Sequence, residues 1–128
     1  MTPKIRAAFL AIVVLQALHS VEEYFFRLYE VFPPIVYVYR DAPQLAKPAF
    51  IVFNVLLLVA GLVCFLRWVW PGRPGAKAVM WIWIGGEAFN ATAHATWWIV
   101  TPQYNPGLVT GLMFVPLVAW LAYLLRRS

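Results

Sequence analysis

Four long apolar runs follow one another along the chain. The first contains "AAFLAIVVLQAL", the second "IVFNVLLLVAGLVCFL", the third "VMWIWIGG" and the fourth "LVTGLMFVPLVAWLAYLL". Between them lie breaks that no helix crosses easily: Pro33-Pro34, "PGRPG" at 71–75 and "TPQYNPG" at 101–107. The pattern predicts helices over residues 5–32, 48–70, 76–100 and 108–125, with Pro48 suited to a helix start. Each is long enough, at ~1.5 Å per residue, to cross a ~30 Å hydrocarbon core. Backbone in lipid must satisfy its own hydrogen bonds, which leaves helices or closed barrels, and these runs are too continuously apolar for barrel strands. The expectation is an all-α fold: an integral membrane four-helix bundle forming one domain over residues 1–128.

Composition supports that class. The chain is 63% hydrophobic and 12% charged, more apolar surface than a soluble domain of this size can hide. The net charge of +5 is then read as topology. Lys4, Arg6, Arg67, Arg73, Lys77, Arg126 and Arg127 fall on one side of a four-span arrangement, and Arg27, Arg40 and Lys47 on the other. This places both termini in the cytoplasm. The expected location is a bacterial inner (plasma) membrane. No basic stripe is interleaved with stacking aromatics, so no nucleic-acid partner is expected. Cys64 is the single cysteine, which excludes an internal disulfide. "MTPKIR" and the apolar run after it have the look of a signal peptide, but no small-x-small cleavage site follows, and the segment is read as retained. The segment "PPIVYVYRDAPQLAK" at 33–47 reads as an interfacial connector or, more sharply, as a lid over an outward-facing site.

The polar residues inside the apolar runs carry the functional question. The first run holds His19, Glu22 and Glu23, the second Asn54, the third Glu87, Asn90 and His94. Spacings of three, four and seven put the members of each set on one helix face. Counted by helical rise, all seven reach one layer between the bilayer midplane and the outer side. Ionisable groups in a span are costly and are functional candidates by default. Small residues (Gly85, Gly86, Ala88, Ala91) flank the third set, and "GLVTG" opens the fourth helix, which permits close helix approach. Glu87, mid-span and without a charge nearby in its own helix, is the strongest candidate. Glu22 is expected to face the site and Glu23 the surface. Gln16 and Pro116 are expected to serve helix packing only.

The stretch "HSVEE" at 19–23 fits H-x-x-E-E and resembles the HXXEE family of small integral membrane proteins. The asparagine and histidine of "EAFNATAH" are similar to further polar positions of that family. The resemblance implies a four-helix membrane architecture and the importance of these residues. It implies no particular reaction.

Three functions compete. The first is acid–base catalysis on a lipid-soluble, isoprenoid- or sterol-like substrate, such as isomerisation or cyclisation. His19, Glu22, Glu23, Asn54, Glu87, Asn90 and His94 would be the catalytic residues, since neighbouring carboxylates in a dry site divide into an acid and a base. The second is a divalent metal site, iron or zinc, with His19, Glu22, Glu87 and His94 as ligands and Glu23 within reach. The Glu-x-x-His order of di-iron bundles is reversed in the first helix, and Asn90 stands where the third would need histidine. The third is a structural polar network in an accessory subunit. Expected partners are the lipid bilayer, a hydrophobic small molecule, and a second copy or a larger membrane complex.

Overall fold

A computed structural model describes residues 1–128 as six helices and no strand. Helix α1 (Pro3–Phe25) starts with Pro3 in its first turn, and the Thr2 hydroxyl accepts the Ile5 N–H at 3.4 Å. Its buried stripe runs Ile5, Ala8, Phe9, Ile12, Val13, then Gln16, His19 and Glu23. The spacing is that of one helix face. The face is apolar for its first three turns and polar above them.

The chain then departs from expectation. The first helix does not run to residue 32. It ends at Phe25, and Arg27 turns the backbone with a left-handed φ of 57°. Two short helices follow, α2 (Leu28–Val31) and α3 (Pro33–Val38). Packing supplies the reason: the turn lays Tyr29 on Phe50 (ring centroids 5.5 Å) and Phe32 on Trp97 (5.3 Å). A straight continuation would carry both rings away from the bundle. Such pairs contribute ~0.5–1.5 kcal/mol each beyond area burial, comparable to the ~1–2 kcal/mol cost of one left-handed residue.

Helix α4 (Ala46–Cys64) follows a 3-10 turn at Pro43–Leu45 and passes into one π turn, Phe65–Val69. Helices α5 (Ala76–Val100) and α6 (Leu108–Arg126) match the expected limits. Gly75 and Gly107 precede them with φ of 88° and 87°. Three segments are long and apolar enough to cross a membrane: Pro3–Phe25, Pro43–Val69 and Leu108–Arg126. Helix α5 has the length, at 25 residues, but is not among them. Glu87, Asn90 and His94 lower its hydropathy, and Glu87 and His94 are buried inside the bundle. The four equivalent spans expected from the pattern are therefore three apolar spans and one helix with a polar inner face.

Both termini and the 70–75 turn lie at one end of the bundle. Lys77 Nζ donates to the Ser128 backbone oxygen at 2.6 Å, and Arg6 stacks over Trp70. At this terminal end the helices close on a core that includes Phe9, Phe65, Met80, Phe114 and Leu121. Trp83 meets Phe9 edge-on at 6.0 Å and packs over Gly61, where a Cβ would come within 3.1 Å of its ring. Helix α5 packs along α6, α6 along α1, and α1 on α4. Helix α4 meets α5 chiefly through the π turn. Above Trp83 the two helices part, and the gap is not filled by protein.

Candidate functional site

The gap between α4 and α5 is the mouth of a cavity of about 500 Å³. Its back wall is the polar part of α1, with Gln16, His19 and Glu23. Phe50, Phe53, Asn54 and Leu57 of α4 form one side, and Trp83, Glu87, Asn90 and His94 of α5 the other. Leu28, Phe32 and Ile35 close the end furthest from the termini, so the segment after α1 covers the site as well as connecting helices. Phe53, Ile82 and Phe89 stand exposed at the mouth. No lysine or arginine lines the cavity. Six of the seven residues expected to form a site therefore line one cavity: His19, Glu23, Asn54, Glu87, Asn90 and His94. Glu22 does not.

Glu22 points instead at the start of α6. It accepts the Val109 and Thr110 backbone N–H groups at 3.2 and 2.9 Å, the Tyr104 hydroxyl at 2.7 Å, and the Thr110 hydroxyl. A carboxylate here satisfies amides that α6 cannot pair internally and complements the positive end of its dipole. Partial burial, and then the Glu22 carboxylate it donates to, hold the Tyr104 phenol above its ordinary range. The expected assignment of the glutamate pair is thus reversed. Glu23 is the buried residue facing the histidines, and Glu22 is half-buried at the helix start. Helical phase explains it: Gln16, Ser20 and Glu23 share a stripe, and Glu22 lies one position round from it.

The histidines are oriented by residues the sequence reading passed over. His19 Nδ1 lies 2.7 Å from Thr110 Oγ1. The Thr110 proton goes to Glu22, so the hydroxyl accepts and His19 carries its proton on Nδ1. His94 Nδ1 lies 2.8 Å from Asn105 Oδ1, while Asn105 Nδ2 donates to the His94 backbone oxygen at 3.3 Å. That fixes the amide, and His94 too is protonated on Nδ1. Both Nε2 atoms then turn to one carboxylate oxygen, Glu23 Oε1, at 3.1 and 3.3 Å. Asn90 Nδ2 is 3.0 Å from His19 Nε2. His19, Glu23 and His94 offer three ligand atoms within 4.8 Å of one another and could hold a metal ion. The expected ligand set is corrected in two members: Glu22 caps α6, and Glu87 stands outside this group. Gly107 closes over all three residues, since a Cβ there would lie 2.8 Å from each.

A second network runs across the cavity. Asn54 Nδ2 donates to the Phe50 backbone oxygen at 3.0 Å, which leaves Asn54 Oδ1 to accept the Ser20 hydroxyl at 2.6 Å. The Gln16 amide lies between Ser20 and Glu87, with its oxygen on the Ser20 hydroxyl side at 3.2 Å and its Nε2 donating to the Glu87 carboxyl oxygens at 3.1 and 3.2 Å. Asn90 Nδ2 reaches Glu87 only at 3.4 Å.

A family profile described as "Protein of unknown function with HXXEE motif" matches residues 10–121. The chain belongs to the HXXEE family. No curated protein and no solved structure matches it. In this HXXEE protein the motif divides its labour: His19 and Glu23 meet inside the bundle, and Glu22 anchors α6 while polarising the threonine that holds His19. Thr110, Asn105, Gln16 and Ser20 complete the site. The "NPG" turn before α6 and the seven-residue spacing from Gln16 to Glu23 were the signals that could have found them. Thr110→Val leaves the His19 Nδ1–H buried without an acceptor. It is expected to cost about 1–3 kcal/mol of unfolding free energy, measured by denaturation in micelles. Thr110→Ser, which keeps the hydroxyl, should lose much less.

Proposed function

We propose that the protein is a membrane-embedded enzyme that uses acid–base chemistry on a lipid-soluble molecule entering between α4 and α5. The observation that carries this reading is the placement of Glu87, a carboxyl buried in an apolar cavity that no lysine or arginine lines. Its polar neighbours are the neutral amides of Gln16 and Asn90. A neutral carboxylic acid is the form that such a site tolerates at least cost and that a general acid must have before it protonates a substrate. Glu23, flanked by both histidines, is the complementary base. The apolar mouth suits an isoprenoid- or sterol-like body, and isomerisation or cyclisation begins with such a protonation. Seven of the ten Lys and Arg residues belong to the terminal end, which supports cytoplasmic termini and a site in the outer half of the membrane.

The test is isotopic. Wild-type protein in a bilayer containing isoprenoid and sterol lipids, in D2O, is expected to place deuterium on carbon in one lipid class. Glu87→Gln should abolish this while leaving the unfolding transition nearly unchanged. If no lipid takes up deuterium and Glu87→Gln merely melts earlier, the network is structural.

A second reading is favoured by the lone pairs of two Nε2 atoms converging on one carboxylate oxygen. They need a cation among them, either a proton or a divalent metal such as zinc or iron. The Nδ1–H bonds to Thr110 and Asn105 are the outer-shell support that metal-bound histidines use. Metal analysis of purified protein decides it. Stoichiometric metal lost in His94→Ala and Glu23→Gln supports the metal; none in any sample excludes it.

A further inference from the structure

The cavity holds two carboxyl groups and no basic side chain except the histidines. Glu23 is accounted for, because the Nε2 atoms of both histidines face it at 3.1 and 3.3 Å. Glu87 is not. It is 4% exposed, has no cationic partner, and its closest polar neighbour is the neutral Gln16 amide. Once Glu87 gives up its proton, its carboxylate stands at the back of an apolar cleft with only the neutral amides of Gln16 and Asn90 beside it. Such a carboxylate lacks a donor carrying positive charge. A hydroxyl fits it poorly, since a neutral donor leaves the carboxylate charge unbalanced in a low-dielectric site.

We infer that the site binds a lipophilic amine, whose nitrogen takes the Glu87 proton and whose apolar body lies in the mouth between α4 and α5. The inference rests on the acid–base reading of the same cavity. The amine reaches the site neutral from the bilayer. On arrival the O–H bond of Glu87 breaks, the nitrogen lone pair takes the proton, and a carboxylate and an ammonium remain in contact. The N–H so formed points at the Glu87 carboxylate. Trp83 lines the same space, and an indole ring attracts a nearby cation. Phe53 and Phe89 at the mouth meet the apolar body. Specificity then lies in a basic nitrogen able to carry a hydrogen, more than in the shape of the hydrocarbon.

The experiment compares N,N-dimethyldodecylamine with 1-dodecanol on protein in phosphatidylcholine nanodiscs, with empty nanodiscs as the partition blank. Binding is read by calorimetry and the Glu87 carboxyl by infrared difference spectroscopy. The amine is expected to bind wild type more tightly than the alcohol and to abolish one protonated-carboxyl band, which Glu87→Gln lacks from the start. In Glu87→Gln the amine should weaken at least about thirtyfold, and the alcohol should bind as in wild type, showing that the cavity is intact. Equal amine binding by wild type and Glu87→Gln, or an unchanged carboxyl band, overturns the inference. Saturable binding of the alcohol alone overturns it as well, but leaves the lipid-open cavity of the acid–base reading standing. No saturable binding of either probe overturns both.

Discussion

Glu23→Leu is expected to lower the unfolding free energy by about 3–5 kcal/mol, the cost of breaking a buried charged pair by removing one partner. Glu23 Oε1 is the shared partner of His19 and His94, at 3.1 and 3.3 Å, and all three side chains are buried. Leucine leaves two imidazoles facing apolar atoms. The charge that Glu23 balances would have to leave, or water would have to enter. Glu87→Leu, an equally buried carboxyl, should cost less, about 1–3 kcal/mol, because it orphans only the neutral amides of Gln16 and Asn90 and no charged partner. Equilibrium unfolding of both variants in the same micelles makes the comparison. Equal effects would mean that the two glutamates are not divided into a paired and an unpaired one.

Gly107→Ala comes second in expected effect, about 2–5 kcal/mol. The left-handed backbone costs an alanine ~1–2 kcal/mol, and overpacking adds ~1–3 kcal/mol. The clash is with Glu23 Cγ, His19 Cε1 and His94 Cε1 together, each 2.8 Å from the new methyl. None is the free end of a flexible chain, because each is held by the hydrogen bonds of the cluster. Gly85→Ala supplies the contrast: a Cβ there meets nothing within 4 Å, and helix propensity favours the change by ~0.5–1 kcal/mol. A Gly107→Ala protein that melts with wild type would show that the loop can lift off the cluster freely.

The helices were legible in the sequence wherever proline or glycine punctuated them. Helix α5 begins after Gly75 and α6 after Gly107, each at the expected residue. The end of α1 was not legible. Arg27 is an unusual residue for a left-handed turn, and what drives it there is the fit of Tyr29 and Phe32 onto α4 and α5, a long-range contact that local pattern does not encode. The site was legible as a set of costly residues sharing one depth. Which of two adjacent glutamates entered it was harder, since both lie within about 60° of His19 on a helical wheel. Gln16 and Ser20 mark the stripe that Glu23 belongs to, but a lone glutamine reads as helix packing, and Ser20 carries no charge to single it out. Thr110 and Asn105 escaped because their importance comes from which atoms of the histidines they hold.

The mouth between α4 and α5 has one more consequence. Phe53, Ile82 and Phe89 have no protein partner across the gap, so in a membrane acyl chains must occupy it when no ligand does. The ligand we propose and lipid tails then compete for the same volume. The concentration that governs occupancy is the ligand's mole fraction in the bilayer, and diluting the membrane with extra lipid empties the site even when the amount of ligand and protein stays fixed.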